Sequence, residues 1–167
     1  MRNLFFLALL IILIIPVNAD VFEHKTTIEQ VLSEIPELES IKCRFKQERT
    51  VKNIQKPLVS NGNFEFKKGE GVYFETIYPV KSNVNYTNKN YKQINDVINA
   101  ISTKKYSKLE KEFDIFYEEE NSNWTLGLKP KDKNTVLSKI TIEGQDYIKK
   151  IEITQTNGNE TKLWFIK

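Results

Sequence analysis

The chain has 167 residues, 40% hydrophobic and 28% charged, with 25 Lys+Arg against 22 Asp+Glu and a net charge of +3. That length suits one domain with a single hydrophobic core, and the near balance of interspersed lysine and glutamate argues against nucleic-acid binding. One histidine, His24, and one cysteine, Cys43, leave no material for a His/Cys metal site, a Cys–His nucleophile pair or an intramolecular disulfide, so no cofactor and no metal are expected.

The first segment reads as an address. Arg2 is followed by the apolar run Leu4–Ile15, a break at Pro16, and Val17-Asn18-Ala19, which ends in small residues. The run is shorter than the about 20 residues a membrane-spanning helix needs, so residues 1–19 are predicted to be a cleaved secretory signal. No cysteine stands near the cut to carry a lipid. Residues 20–167 are then expected to be one exported, soluble domain in the periplasm.

Ile28, Val31, Leu32, Ile35 and Leu38 recur at helical spacing, Thr26 and Glu29 have capping-box spacing, and Pro36 ends or kinks the segment. The period then switches to two. Ile41, Cys43 and Phe45 alternate with Lys42, Arg44 and Lys46, and a small buried hydrophobe is the plain reading of Cys43. A loop at residues 53–57 leads to Phe64 and Phe66, a turn at 67–71, a strand over 72–77 closing at Tyr78-Pro79, and alternation through Val84 and Tyr86.

Residues 88–111 are helical again. Tyr91, Ile94, Val97, Ile98 and Ile101 form a stripe, with a further turn carrying Tyr106 and Leu109. Strand alternation resumes at Phe113, Ile115 and Tyr117. It continues through Trp124, Leu126 and Leu128, then Ile140 and Ile142, Ile151 and Ile153, and Trp164 and Ile166. Turn clusters at 121–123, 143–146 and 156–159 place Gly or Asn where positive φ is expected. The predicted fold is mainly β: an antiparallel sheet of about nine to eleven strands, which curls at that size into an incomplete barrel. The two amphipathic helical segments are too short to form a layer of their own, so they cover the apolar concave face as a lid.

Several segments carry a resemblance that spans nearly the whole chain after residue 19. These are Phe45-Lys46-Gln47, then Gly62-Asn63-Phe64-Glu65-Phe66-Lys67-Lys68, then residues 72–79 ending in Tyr78-Pro79, then Leu126-Gly127-Leu128-Lys129-Pro130-Lys131, and the closing hairpin from Ile151 to Phe165. In this order they resemble the periplasmic outer-membrane lipoprotein carriers, LolA and its relatives. The resemblance implies a half-barrel with a helical lid over an apolar cavity that shelters acyl chains. It also implies cargo taken from an inner-membrane exporter and passed to an outer-membrane acceptor by a monomeric carrier. The family's gating arginine, which is followed by proline, corresponds by register from Gly62 to Lys68 followed by Gly69. Lysine keeps the charge but loses the forked donor geometry. Residues 57–62 and 71–76 look closer to a divergent branch associated with other lipids or lipid-linked pigments, so lipoprotein is one cargo among several.

Phe45, Phe64, Phe66, Phe74, Val84 and Tyr86 are the candidates for the cavity wall. Ile28, Val31, Leu32, Ile35, Ile94, Ile98 and Ile101 are the candidates for the underside of the lid. Each is equally readable as ordinary core. Trp124 and Trp164 read as structural. The run Glu118-Glu119-Glu120 is a solvated strand end or a docking point for a basic partner. No pair of carboxylates, and no nucleophile with its base, stands at a recognisable catalytic spacing, so an enzyme is not expected. A sensor or inhibitor that binds a protein partner with the same fold stays open beside the carrier.

Overall fold

The computed structural model describes residues 20–38, 40–68, 70–85 and 92–167, and of residues 32, 83–85 and 92–95 the backbone alone. The predicted leader, Tyr86 and Tyr91 lie outside the described residues. A single 3-10 turn, Val21–Glu23, precedes helix α1 (Ile28–Glu34) and strands β1 (Ile41–Thr50), β2 (Leu58–Lys67), β3 (Gly71–Tyr78) and β4 (Ser82–Asn85). Helices α2 (Lys92–Thr103) and α3 (Ser107–Glu112) follow, then β5 (Phe113–Glu120), β6 (Asn123–Pro130), β7 (Leu137–Gly144), β8 (Ile148–Gln155) and β9 (Glu160–Ile166).

Among the described residues, nine strands form one sheet in the order β4-β3-β2-β1-β9-β8-β7-β6-β5, and each pairing is antiparallel. Strands β4 and β5 are the two edges, so the barrel is open, as expected, with the helices as its lid. Short turns produce most neighbours. The junction of β1 with β9, in register from Arg44↔Ile166 to Thr50↔Glu160, joins the two halves of the chain.

Helix α1 starts one residue later than its sequence suggests. Thr27, not Thr26, is the N-cap: its hydroxyl accepts from Gln30 N–H at 3.5 Å, and its own N–H donates to Gln30 Oε1 at 3.3 Å. Thr26 is unavailable because its N–H donates to the Ile115 carbonyl at 3.1 Å, which ties the preceding chain to the edge of β5. Ile35, just before Pro36, is extended and ends the helix.

Two further expectations shift. Gly144 closes β7, and its φ is not positive; a side chain there would lie 2.1 Å from the Trp124 ring. The glycine makes room for the indole instead of serving a turn. In β9 the inward residues are Leu163 and Phe165, while Ile166 is exposed and Trp164 half-buried. The expected pair Trp164 and Ile166 therefore faces outward, where Lys46 Nζ sits 5.4 Å from the Trp164 ring. Residues 163–166 are all apolar, so alternation alone sets no register there. Pairing with β1 does, because Phe165 lies opposite Phe45.

Candidate functional site

The inward face is one continuous apolar surface. Register places Phe64 opposite Phe74 and Phe66 opposite Val72, with Leu163 opposite Ile151 and Ile142 opposite Leu126 further round. Near the β1–β9 junction the aromatic rings gather. Phe45 and Phe74 are 5.0 Å apart between centroids, Phe64 and Phe74 4.8 Å, and Phe64 and Phe165 4.5 Å, all at steep or tilted angles. Such edge-to-face pairs add about 0.5–1.5 kcal/mol beyond area burial.

The lid lies on this surface. From α1 and its exit come Ile28, Val31, Ile35 and Leu38; from α2 come Val97, Ile98 and Ile101; from α3 comes Leu109. All are buried. Ser102, also buried, donates its hydroxyl to the Ile98 carbonyl at 2.5 Å, so α2 brings no unsatisfied hydroxyl into the core. Tyr106 Oη donates to the Ile101 carbonyl at 3.5 Å, and burial pushes its phenol up to about 12. Lys108 and Asp96, 2.6 Å apart, bind α3 to α2 on the outside.

Of the cavity-wall candidates, Phe45, Phe64, Phe66 and Phe74 are brought together and buried. Val84 stands opposite Phe74 in β4, its side chain outside the described residues, as are all of Tyr86 and the side chains of Leu32 and Ile94. The remaining lid candidates, Ile28, Val31, Ile35, Ile98 and Ile101, all face the sheet core. Phe165 belongs to the same aromatic group and was not among the candidates.

Beside Phe64 and Phe66 the hollow expected between lid and sheet is small. A cavity of about 20 Å³ lies between Leu38, Ile98 and Ser102 above and Phe64, Phe66 and Phe165 below, room for about one water-sized body. An unoccupied apolar hole forfeits dispersion contacts on every wall, so the lid settles until the side chains meet. A wider, open groove of about 810 Å³ mixes Lys42, Arg44, Glu65 and Glu75 with Phe64, Tyr73, Phe74 and Ile166 in its lining.

Lys68 follows β2 and reaches the lid's exit. Its backbone N–H donates to Ser40 Oγ at 3.2 Å, and its ammonium pairs with Glu37, between α1 and β1. That hydrogen bond, with the Lys68 charge behind it, holds the Glu37 carboxyl below its ordinary range. Cys43 is half-buried at the cavity wall, and burial pushes its thiol up, away from the reactive thiolate.

The outer face holds a contact that sequence reasoning missed. Val21 is buried, and Phe22 packs edge-on against Phe116 at 5.3 Å between centroids. Gly127 permits this, because a side chain there would meet the Phe22 ring at 2.8 Å. Lys129 and Lys139 place their ammonium groups 4.6 and 4.9 Å from the Phe22 ring centre. The only sequence signal was a glycine inside an otherwise regular strand.

An open antiparallel sheet with an aromatic inner face under short amphipathic helices is matched, over residues 36–167, by the family model described as outer membrane lipoprotein carrier protein LolA. The chain belongs to the LolA family. Two solved structures are also similar. One is a LolA superfamily protein from Nitrosomonas europaea, at 9% identity, covering 85% of this chain and 92% of that one with a TM-score of 0.38. The other is a putative outer membrane lipoprotein-sorting protein domain from Vibrio parahaemolyticus, at 11% identity, covering 89% and 92% with a TM-score of 0.39. No curated protein matches. LolA family proteins are carriers and not enzymes, and the motif strands of residues 45–47, 62–68 and 126–131 all lie within the matched region.

Proposed function

We propose that this protein is a periplasmic carrier that takes up acyl chains of lipoproteins or related lipids and moves them from the inner to the outer membrane. The observation that carries the reading is the buried aromatic surface of Phe45, Phe64, Phe74 and Phe165 under short amphipathic helices, in a chain of the LolA family. Residues 1–19 serve as a cleaved leader, and the mature domain starts at Asp20. An acyl chain in water costs about 0.8 kcal/mol per CH₂, and the inner face offers a matching apolar surface once α1 and α2 lift. The cavity beside Phe64 and Phe66 holds only about 20 Å³, so loading an acyl chain there requires that movement. The ion pair between Lys68 and Glu37 is the latch on the α1 side.

Gentle purification from the periplasm, followed by mass spectrometry of bound material, tests the reading and names the cargo class. Acylated lipoprotein or another acyl-bearing lipid in stoichiometric amount is expected. A protein recovered free of any acylated species, even after incubation with a membrane extract, would contradict it and favour a module that binds a protein partner.

A further inference from the structure

We propose that one end of the sheet docks on an anionic lipid membrane. Among the described residues, the large exposed hydrophobics are unevenly placed. Ile54 in the β1–β2 loop, Leu58 at the start of β2, and Ile77, Tyr78 and Val80 at the β3–β4 turn are all exposed, Val80 by 73%. These loops are neighbours. Arg49 pairs with Leu58 and Asn61 with Tyr78, so the end of β1, the start of β2 and the end of β3 share one rim. The Lys52 N–H donates to Asn159 Oδ1 at 2.9 Å, which ties the β1–β2 loop to the β8–β9 turn. The Thr156 N–H in turn donates to the carbonyl of Val136, which is 69% exposed.

Charge selects the occupant. Arg49, Lys52, Lys56 and Lys81 stand exposed among the apolar tips, and neither residues 49–59 nor residues 76–82 contain a carboxylate. Arg49, Lys52 and Lys56 form no ion pair among the described residues, and Lys81 meets only Glu75, at 3.9 Å. At the other end of the sheet charge is mixed: Glu118, Glu119 and Glu120 close β5 and Asp146 lies in the β7–β8 turn, beside Lys68, Lys149 and Lys167. Apolar side chains projecting between cations match a negatively charged bilayer surface. The apolar tips enter the acyl boundary, Tyr78 sits at headgroup depth, and the lysine stems reach up to the phosphates. Along the β1–β2 and β3–β4 loops the rim sets cations between apolar tips and holds no carboxylate, the arrangement that anionic headgroups match; Asp132 and Glu160 stand further along it, in the β6–β7 loop and at the start of β9.

This inference goes beyond the carrier reading and does not rest on it, because docking at the rim requires no acyl chain under the lid. The test is flotation of the protein, as processed by the exporting cell, with vesicles of phosphatidylglycerol and phosphatidylethanolamine, and with phosphatidylcholine vesicles as the neutral control. Association with the anionic vesicles, weakened at high salt, is expected. The double variant Ile54→Ser, Val80→Ser should lower it at least tenfold, and so should Lys52→Glu with Lys56→Glu. All four positions are exposed, and unchanged thermal unfolding would show that the fold is intact. Absence of flotation with the anionic vesicles would overturn the proposal, as would flotation of both double variants at the wild-type level. So would wild-type dimers in sedimentation that Ile54→Ser, Val80→Ser turns into monomers, because the rim would then serve a second copy of this chain.

Discussion

Lys68 shows what one residue does at the joint between lid and barrel. Its ammonium holds Glu37 and its N–H holds Ser40, so the chain leaving α1 is fixed to the end of β2. Lys68→Ala should speed hydrogen exchange in the last turn of α1 and raise the rate of acyl uptake, while Lys68→Arg should preserve both. Unaltered exchange in Lys68→Ala would remove the latch from the account. The pH dependence has a definite sign. Glu37 titrates below its unfolded value, so its contribution is complete above the ordinary glutamate range, about 4.3, and is lost as pH falls through the depressed value. Exchange in α1 is therefore expected to be flat from neutral pH down to that range and to rise only in more acid solution. Sequence register pointed to Lys68, but its partner did not show, because Glu37 lies 31 residues earlier in a stretch without periodicity.

At the scale of elements, the helices and hairpins were readable because their signals are local. The stripe of Val97, Ile98 and Ile101 announced α2, and Pro36 announced the end of α1. The cap of α1 was misread by one residue because a long-range bond from Thr26 to Ile115 outweighs the local spacing. The same limit hid Phe165, since four successive apolar residues carry no period. Buried Ile98 tests how α2 is seated. Ile98→Asp places an unpaired carboxylate against Phe64 and Phe66 and should cost about 3–5 kcal/mol in denaturant unfolding. Unchanged stability would mean that α2 does not rest on the sheet as described.

For the molecule as a whole, the open antiparallel barrel with its lid was legible from strand count, turn spacing and the family motifs. The closure of β1 on β9 was not, because it pairs segments more than a hundred residues apart with no turn between them to announce it. Nor was the close approach of lid and sheet beside Phe64. Sequence shows an apolar face on the sheet and another on the lid, but how closely they approach depends on packing, which between Leu38, Ile98 and Phe64 leaves about 20 Å³. Function on this account is a competition between lid and cargo for the same aromatic surface. A titration with a fluorescent long-chain fatty acid, read while amide exchange is followed in α1 and α2, tests this most directly. The account predicts saturable binding near one acyl chain per protein, with faster exchange across residues 92–103 as the lid is displaced. Saturable binding that leaves both helices as protected as before, or no saturable binding at all, would contradict it.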